Sequence, residues 1–154
     1  MKVSNSSTVK KYKRLFFGVG IVIALVALAL FLFNYTIWGI AGVGLFSLWY
    51  LFFHVADYQW IEYMDENGKI VLRYYKAIKF GTPKYNAIEF PQQILQNAHF
   101  DNSLFGKYSD VTFFVRTKRG IAEYPSVSLA AVPFKDRKKM QESLSEIRRQ
   151  KVPK

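Results

Sequence analysis

The sequence predicts an α+β fold: a two-helix transmembrane hairpin followed by a small antiparallel β domain with one C-terminal amphipathic helix. Three observations lead there. Residues 15–56 are forty-two consecutive positions without Asp, Glu, Lys or Arg. From residue 57 the chain turns to short alternating runs separated by turn residues. From Phe134 it turns again, to good helix formers with apolar side chains recurring at spacings of four and three.

The first element is residues 15–33, nineteen positions of Leu, Phe, Val, Ile, Ala and Gly. At about 1.5 Å per residue such a helix crosses roughly the 30 Å hydrocarbon core of a bilayer. Asn34-Tyr35-Thr36 interrupts the run, and residues 37–56 form a second run of twenty. The connector is too short to hold a folded element, so the two helices must be antiparallel. In lipid each helix satisfies its own backbone amides, which leaves few alternatives. Gly20, Ala24 and Ala27 on the first helix and Ala41, Gly44 and Ser47 on the second are small residues at helical spacing, and predict the faces through which the pair packs. Trp38 at one end of the second span, and Trp49, Tyr50, Tyr58 and Trp60 around the other, predict interfacial anchors.

Charge sets the orientation. Residues 1–14 carry Lys2, Lys10, Lys11, Lys13 and Arg14 and no acid. Lys10, Lys11, Lys13 and Arg14 abut the first span and are the topology-determining residues, since flanking positive charge stays in the cytoplasm. Two spans return the chain to the same side. The expected organisation is a basic cytoplasmic tail (1–14), a hairpin (15–56, with spans 15–33 and 37–56) and a cytoplasmic domain (57–154). A cleaved signal peptide is disfavoured, because its apolar core normally runs about 7–15 residues and ends at a small-x-small site. Here Ala27-Leu28-Ala29 lies inside the run, with Leu30-Phe31-Leu32-Phe33 following.

In the domain, residues 58–64 are rich in aromatic and β-forming side chains, and Asp65-Glu66-Asn67-Gly68 holds an Asn-Gly pair, a strong hairpin signal. Ile70, Leu72 and Tyr74 alternate on the return strand. Gly81 and Pro83 mark a turn. Ile88 and Phe90 alternate before Pro91, and a further strand is expected within residues 93–100. Val111, Phe113 and Val115 alternate against Asp110, Thr112 and Arg116. Thr117-Lys118-Arg119-Gly120 is a turn, and residues 121–128 return as a strand that Pro125 confines to an edge or a bulge. The closing helix presents Met140, Leu144 and Ile147 as its apolar stripe, with Phe134 extending it backward and Pro153 beyond its end.

The segment Ala87-Ile88-Glu89-Phe90-Pro91-Gln92-Gln93-Ile94, the hairpin 111–128 and the helix 134–149 make the domain resemble the bacterial PH-like, or membrane-flanked, domain proteins. The resemblance implies a small β domain capped by a helix and held at a membrane. One departure limits it. PH domains that bind phosphoinositides place Lys and Arg in the first hairpin, whereas this one has Asp65 and Glu66 beside Lys69, so inositol-lipid recognition does not carry over.

No motif for catalysis emerges. Gly18-Val19-Gly20 and Gly42-Val43-Gly44 lie in apolar spans and lack the strand and Lys of a phosphate loop. Ser4, Ser6 and Ser7 read as a polar tail. There is no cysteine, and His54 and His99 have no cluster of further ligands, so neither a metal nor a cofactor is expected. The net charge is +11, of which the part after residue 56 holds +6 from 17 basic and 11 acidic residues. Lys135, Arg137, Lys138 and Lys139 at the start of the last helix are the candidate contacts with anionic lipid or a protein partner. The alternative for them is an ordinary solvated face. No nucleic-acid signature or small-molecule site is present. The expected protein is therefore a non-enzymatic, multi-pass protein of the bacterial inner (plasma) membrane with both termini cytoplasmic. It would present its basic domain to membrane lipids or a protein partner. The other reading is an accessory subunit of a membrane transporter or lipid-handling enzyme complex.

Overall fold

The computed structural model describes residues 1–79, 82–103 and 108–150. Gly81 of the expected turn and Pro153 beyond the last helix lie outside them. The architecture is α+β: two long apolar helices, two antiparallel sheets and a C-terminal helix.

Helix α1 is Ser6–Leu32 and helix α2 is Thr36–Val55. Both are long and apolar enough to cross a membrane. Asn34 takes φ +62°, a left-handed value that Asn tolerates better than most residues. The Tyr35 amide then reaches back to the Leu30 carbonyl at 2.8 Å and the Asn34 amide to the Phe31 carbonyl at 3.1 Å. This crossed pair caps the last carbonyls of α1 and reverses the chain.

The helices pack along a seam that differs in part from the expected one. Phe16, Gly20 and Ala27 are buried on α1, whereas Ala24 is exposed. On α2 the expected Ala41, Gly44 and Ser47 all face outward, and a side chain at Gly44 would meet only open space. The contact instead runs through Gly39, Gly42, Phe46, Trp49 and Phe53. A Cβ on Gly42 would lie 2.9 Å from the Ala27 Cβ, and one on Gly39 would lie 2.9 Å from the Phe31 ring. These α2 positions repeat at spacings of three and four, the period of a left-handed helix pair. Trp49, expected as an interfacial anchor, belongs to this seam: its Nε1 donates to the Phe16 carbonyl at 3.3 Å.

Strand β1 (Lys2–Ser4) precedes the helices, and β2 (Gln59–Glu66) follows them. They are nevertheless neighbours, antiparallel with Val3 opposite Tyr63. Residues 1–14, expected as a tail, are thus a strand and the first turns of α1, and the hairpin is inserted between two adjacent strands of one sheet. β3 (Lys69–Lys76) and β4 (Asn86–Pro91) complete that sheet in the order β1-β2-β3-β4. Asn67 and Gly68, at φ +54° and +72°, make the expected two-residue turn between β2 and β3.

A 3₁₀ turn, Gln92–Ile94, leads into the second sheet of β5 (Leu95–Ser103), β6 (Tyr108–Thr117), β7 (Gly120–Glu123) and β8 (Val127–Ser128). β7 and β8 pair successive stretches of β6, and Pro125 falls in the break between them, as an edge proline should. The inner faces of both sheets share one core. Ile61, Tyr63, Ile70, Leu72 and Phe90 meet Leu95, Val111, Phe113, Val115 and Val127 there. Helix α3 (Phe134–Gln150) adds Met140, Leu144 and Ile147, the expected stripe. Phe134 does not extend it. That ring is 72% exposed and points away from the core.

Candidate lipid or partner contact site

The apolar helices join the β domain without a linker. Val9 of α1, Ala77 after β3 and Ala131 before α3 are buried together, with Tyr12, Tyr58, Trp60 and Ile78 packed around them. Tyr12 stacks on Tyr58 at 4.3 Å. Trp60 Nε1 donates to Ser6 Oγ at 2.8 Å, so one of the serines expected in a polar tail anchors the start of the helix.

Asn5 ties the start of α1 to the edge of β2. It is buried, its Nδ2 donates to the Gln59 carbonyl at 2.8 Å, and its Oδ1 accepts from the Ile61 amide at 2.8 Å. A primary amide offers both N–H donors and a carbonyl acceptor, so one side chain can pair with a carbonyl and an amide of the same strand. The side chain thereby continues the ladder along the edge of β2 past β1, while the backbone turns into α1.

Basic and aromatic groups gather around this junction. Lys10, Lys11, Lys13 and Arg14 are all exposed on the first turns of α1, as are Lys76 at the end of β3 and Lys79 and Lys84 beyond it. Lys76 Nζ lies 3.0 Å from Asp57 Oδ1. Trp60 stacks on Tyr75 at 5.1 Å, and Tyr75 meets Tyr85 edge-on at 4.8 Å. Partial burial raises the Tyr75 pKa, with a smaller contribution from Tyr85. The sequence reading passed over Tyr75, Tyr85, Lys76 and Lys79. Their only signal was the cluster of aromatics and lysines at the end of a strand, which looks the same on any solvated edge.

The four basic residues singled out on α3 do not converge on one point. Lys135, Lys138 and Lys139 share an exposed stripe, because positions i, i+3 and i+4 of a helix are neighbours. Lys138 Nζ is 3.9 Å from Glu142 Oε1, and Lys139 Nζ is 3.9 Å from Asp136 Oδ1, long exposed pairs that add little stability. Arg137 turns toward the domain and is half-buried, which lowers its pKa through desolvation while leaving it a cation at neutral pH. It lines a groove with the exposed Phe134, with Thr8 and Tyr12 of α1 and with Phe52 of α2. The start of α3 therefore stands at the level where the apolar hairpin ends.

Among the described residues no group of three His, Asp or Glu side chains is placed to hold a metal. His54 stacks on Tyr50 at 6.0 Å, and His99 Nε2 lies 3.2 Å from Asp101 Oδ1, both side chains being exposed on β5. Ser143 Oγ donates to Asp65 Oδ2 at 2.5 Å and lies 3.2 Å from the Tyr63 hydroxyl, while Gln92 Nε2 donates to Asp65 Oδ1. Burial, above all, raises the Tyr63 pKa, so the phenol is neutral. With no histidine among these partners to activate Ser143, the group reads as a tie between α3 and the first hairpin.

Fold and junction together define an α+β protein with an apolar helical hairpin set into the edge of a basic β domain. No family model, curated protein or solved structure matches this chain.

Proposed function

We propose that the chain is a multi-pass inner-membrane protein whose hairpin holds a basic PH-like domain against the cytoplasmic face, where it contacts anionic lipid or a protein partner and performs no reaction itself. The observation that carries this reading is the groove shared by Phe134, Arg137 and Phe52. It sets an exposed aromatic ring and the Lys135, Lys138 and Lys139 stripe beside the end of an apolar helix, the combination that favours a headgroup layer. The outward-facing side chains of the hairpin support insertion, since a soluble protein rarely exposes so large an apolar surface.

The absence of cysteine offers a clean test. Asn34→Cys, at the hairpin tip, should react with a membrane-impermeant maleimide in intact cells, after removal of any outer envelope. Lys118→Cys, in the domain, should react only after lysis. Labelling of the Lys118 position from outside would overturn the topology, and recovery of the chain in the carbonate-soluble fraction would overturn membrane insertion. For lipid contact, changing Lys135, Arg137, Lys138 and Lys139 together to Gln should remove any preference of the full chain for anionic over neutral lipid at α3. A fluorophore on Phe134→Cys reads this out. An identical spectrum in both lipids would make the stripe a solvated face and leave a protein partner as the contact.

A further inference from the structure

A second groove lies on the other side of the hairpin base, and it differs in chemistry from the one at α3. Phe16 and Phe17 of α1 and Tyr50 and His54 of α2 form its floor and wall, and Lys76 and Lys79 stand at its mouth. Its volume is about 440 Å³. Tyr50 and His54 are one helical turn apart on α2, while Phe52, which lines the α3 groove, is two residues from each and so projects from the opposite side of the helix.

The lining is split by polarity along the hairpin axis. The aromatic floor belongs to the two apolar helices, and the lysines come from the end of β3 and the chain leaving it. Lys13 and Arg14, both exposed, stand one turn from Phe17 toward the domain and extend the positive charge around the same mouth. Asp57 is the acid facing this group, and it pairs with Lys76. Lys79 has no ion-pair partner among the described residues. The groove thus presents an apolar cleft continuous with a lipid-facing helix pair and a cationic rim on the side of the domain. Pockets for small amphiphiles combine an apolar lining with a few placed polar groups in this way.

We infer that this groove binds one anionic phospholipid taken from the surrounding leaflet, with its phosphate against Lys76 and Lys79 and an acyl chain along Phe16, Phe17 and Tyr50. The inference rests on the membrane reading above and adds a defined site to it. Such a lipid would bridge α1, α2 and the β3 end, and so would couple the attitude of the domain to the composition of the leaflet. It requires no contact by α3.

The test uses the full chain in detergent micelles, titrated separately with phosphatidylglycerol and phosphatidylcholine and read by native mass spectrometry. One phosphatidylglycerol should be retained at concentrations where phosphatidylcholine is not. Lys76→Gln with Lys79→Gln should weaken that first adduct by about thirtyfold, two surface charges being removed from a phosphate. Lys79→Gln alone, which leaves the Lys76–Asp57 pair intact, should weaken it by about fivefold. Changing Lys135, Lys138 and Lys139 to Gln should leave it unchanged. Equal retention of both lipids would overturn the inference, as would selectivity that survives loss of both groove lysines. A lipid-free dimer broken by the same two substitutions would also overturn it, by assigning the groove to a second copy. Carbonate extraction keeps the two readings apart: a chain that resists extraction but shows no selective adduct refutes the groove alone.

Discussion

In the hairpin, Leu32 and Ile37 are 74% and 81% exposed, while Gly20, Ala27 and Gly39 are buried. In the β domain, Ile70 and Leu72 are wholly buried, and the glycines Gly68 and Gly120 sit at exposed turns with positive φ. The same residue types are thus sorted in opposite directions by two parts of one chain. In water a large apolar side chain gains by leaving the surface, at roughly 25 cal/mol per Å². In lipid it gains nothing by doing so, and packing is governed by how closely two backbones can approach. On the membrane reading proposed above, the junction at Asn5, Trp60 and Tyr12 is where one rule gives way to the other, tied by the Asn5 and Trp60 hydrogen bonds and the Tyr12–Tyr58 stack.

The largest expected effect cuts the chain at that junction. A fragment of residues 57–154 loses β1, and with it buried Val3 and both Asn5 bonds to β2. Its β domain should be weaker by about 4 kcal/mol or more relative to a chain in which residues 1–14 are joined to residue 56 by a short flexible linker. Denaturant melts of the two would check this, and equal midpoints would mean that β1 is an ornament of the edge.

Leu144→Ala comes next. The side chain is buried against the sheets, so the domain should lose about 2–5 kcal/mol while the hairpin stays helical. A change within about 0.5 kcal/mol, typical of an exposed site, would detach α3 from the core.

A paired substitution sharpens the contrast within the hairpin. Gly42→Leu drives a side chain into Ala27 and should cost about 1–3 kcal/mol, measured as loss of helical signal in denaturing detergent. Gly44→Leu enters open space and should be silent to within about 0.5 kcal/mol. Equal effects would mean that the two glycines do not lie on different faces.

The smallest effect carries a pH signature. Tyr63→Phe removes the contact with Ser143 and should cost about 0.5–1.5 kcal/mol near neutral pH. Because burial raises the folded pKa of Tyr63, its contribution is complete below the unfolded value of about 10. Above that pH the unfolded chain ionises first, and the wild-type domain loses stability. The deficit of Tyr63→Phe should therefore shrink as pH rises beyond about 10. A constant gap across that range would show that the phenol ionises equally in both states.

Sequence alone determined the elements whose causes are local. Two apolar runs, the Asn67-Gly68 turn, the alternation of Val111, Phe113 and Val115 and the stripe of Met140, Leu144 and Ile147 each follow from periods of 3.6 or 2 and from turn chemistry within a few residues. The charge stripe of α3 was legible for the same reason. What only the tertiary structure decided depends on partners distant in the chain. Lys2-Val3-Ser4 is too short to show a period, and it becomes a strand because β2, some sixty residues later, leaves an edge that Val3 and Asn5 complete. The seam of α2 shifted from Ala41, Gly44 and Ser47 to Gly39, Gly42 and Phe46, because several small residues can supply a close approach and only the partner helix selects among them. Phe134 left the apolar stripe because α3 begins beyond the core's edge, beside α1 and α2. The two grooves at the hairpin base have no sequence signature at all, since each is lined by residues from separate elements that only folding brings together.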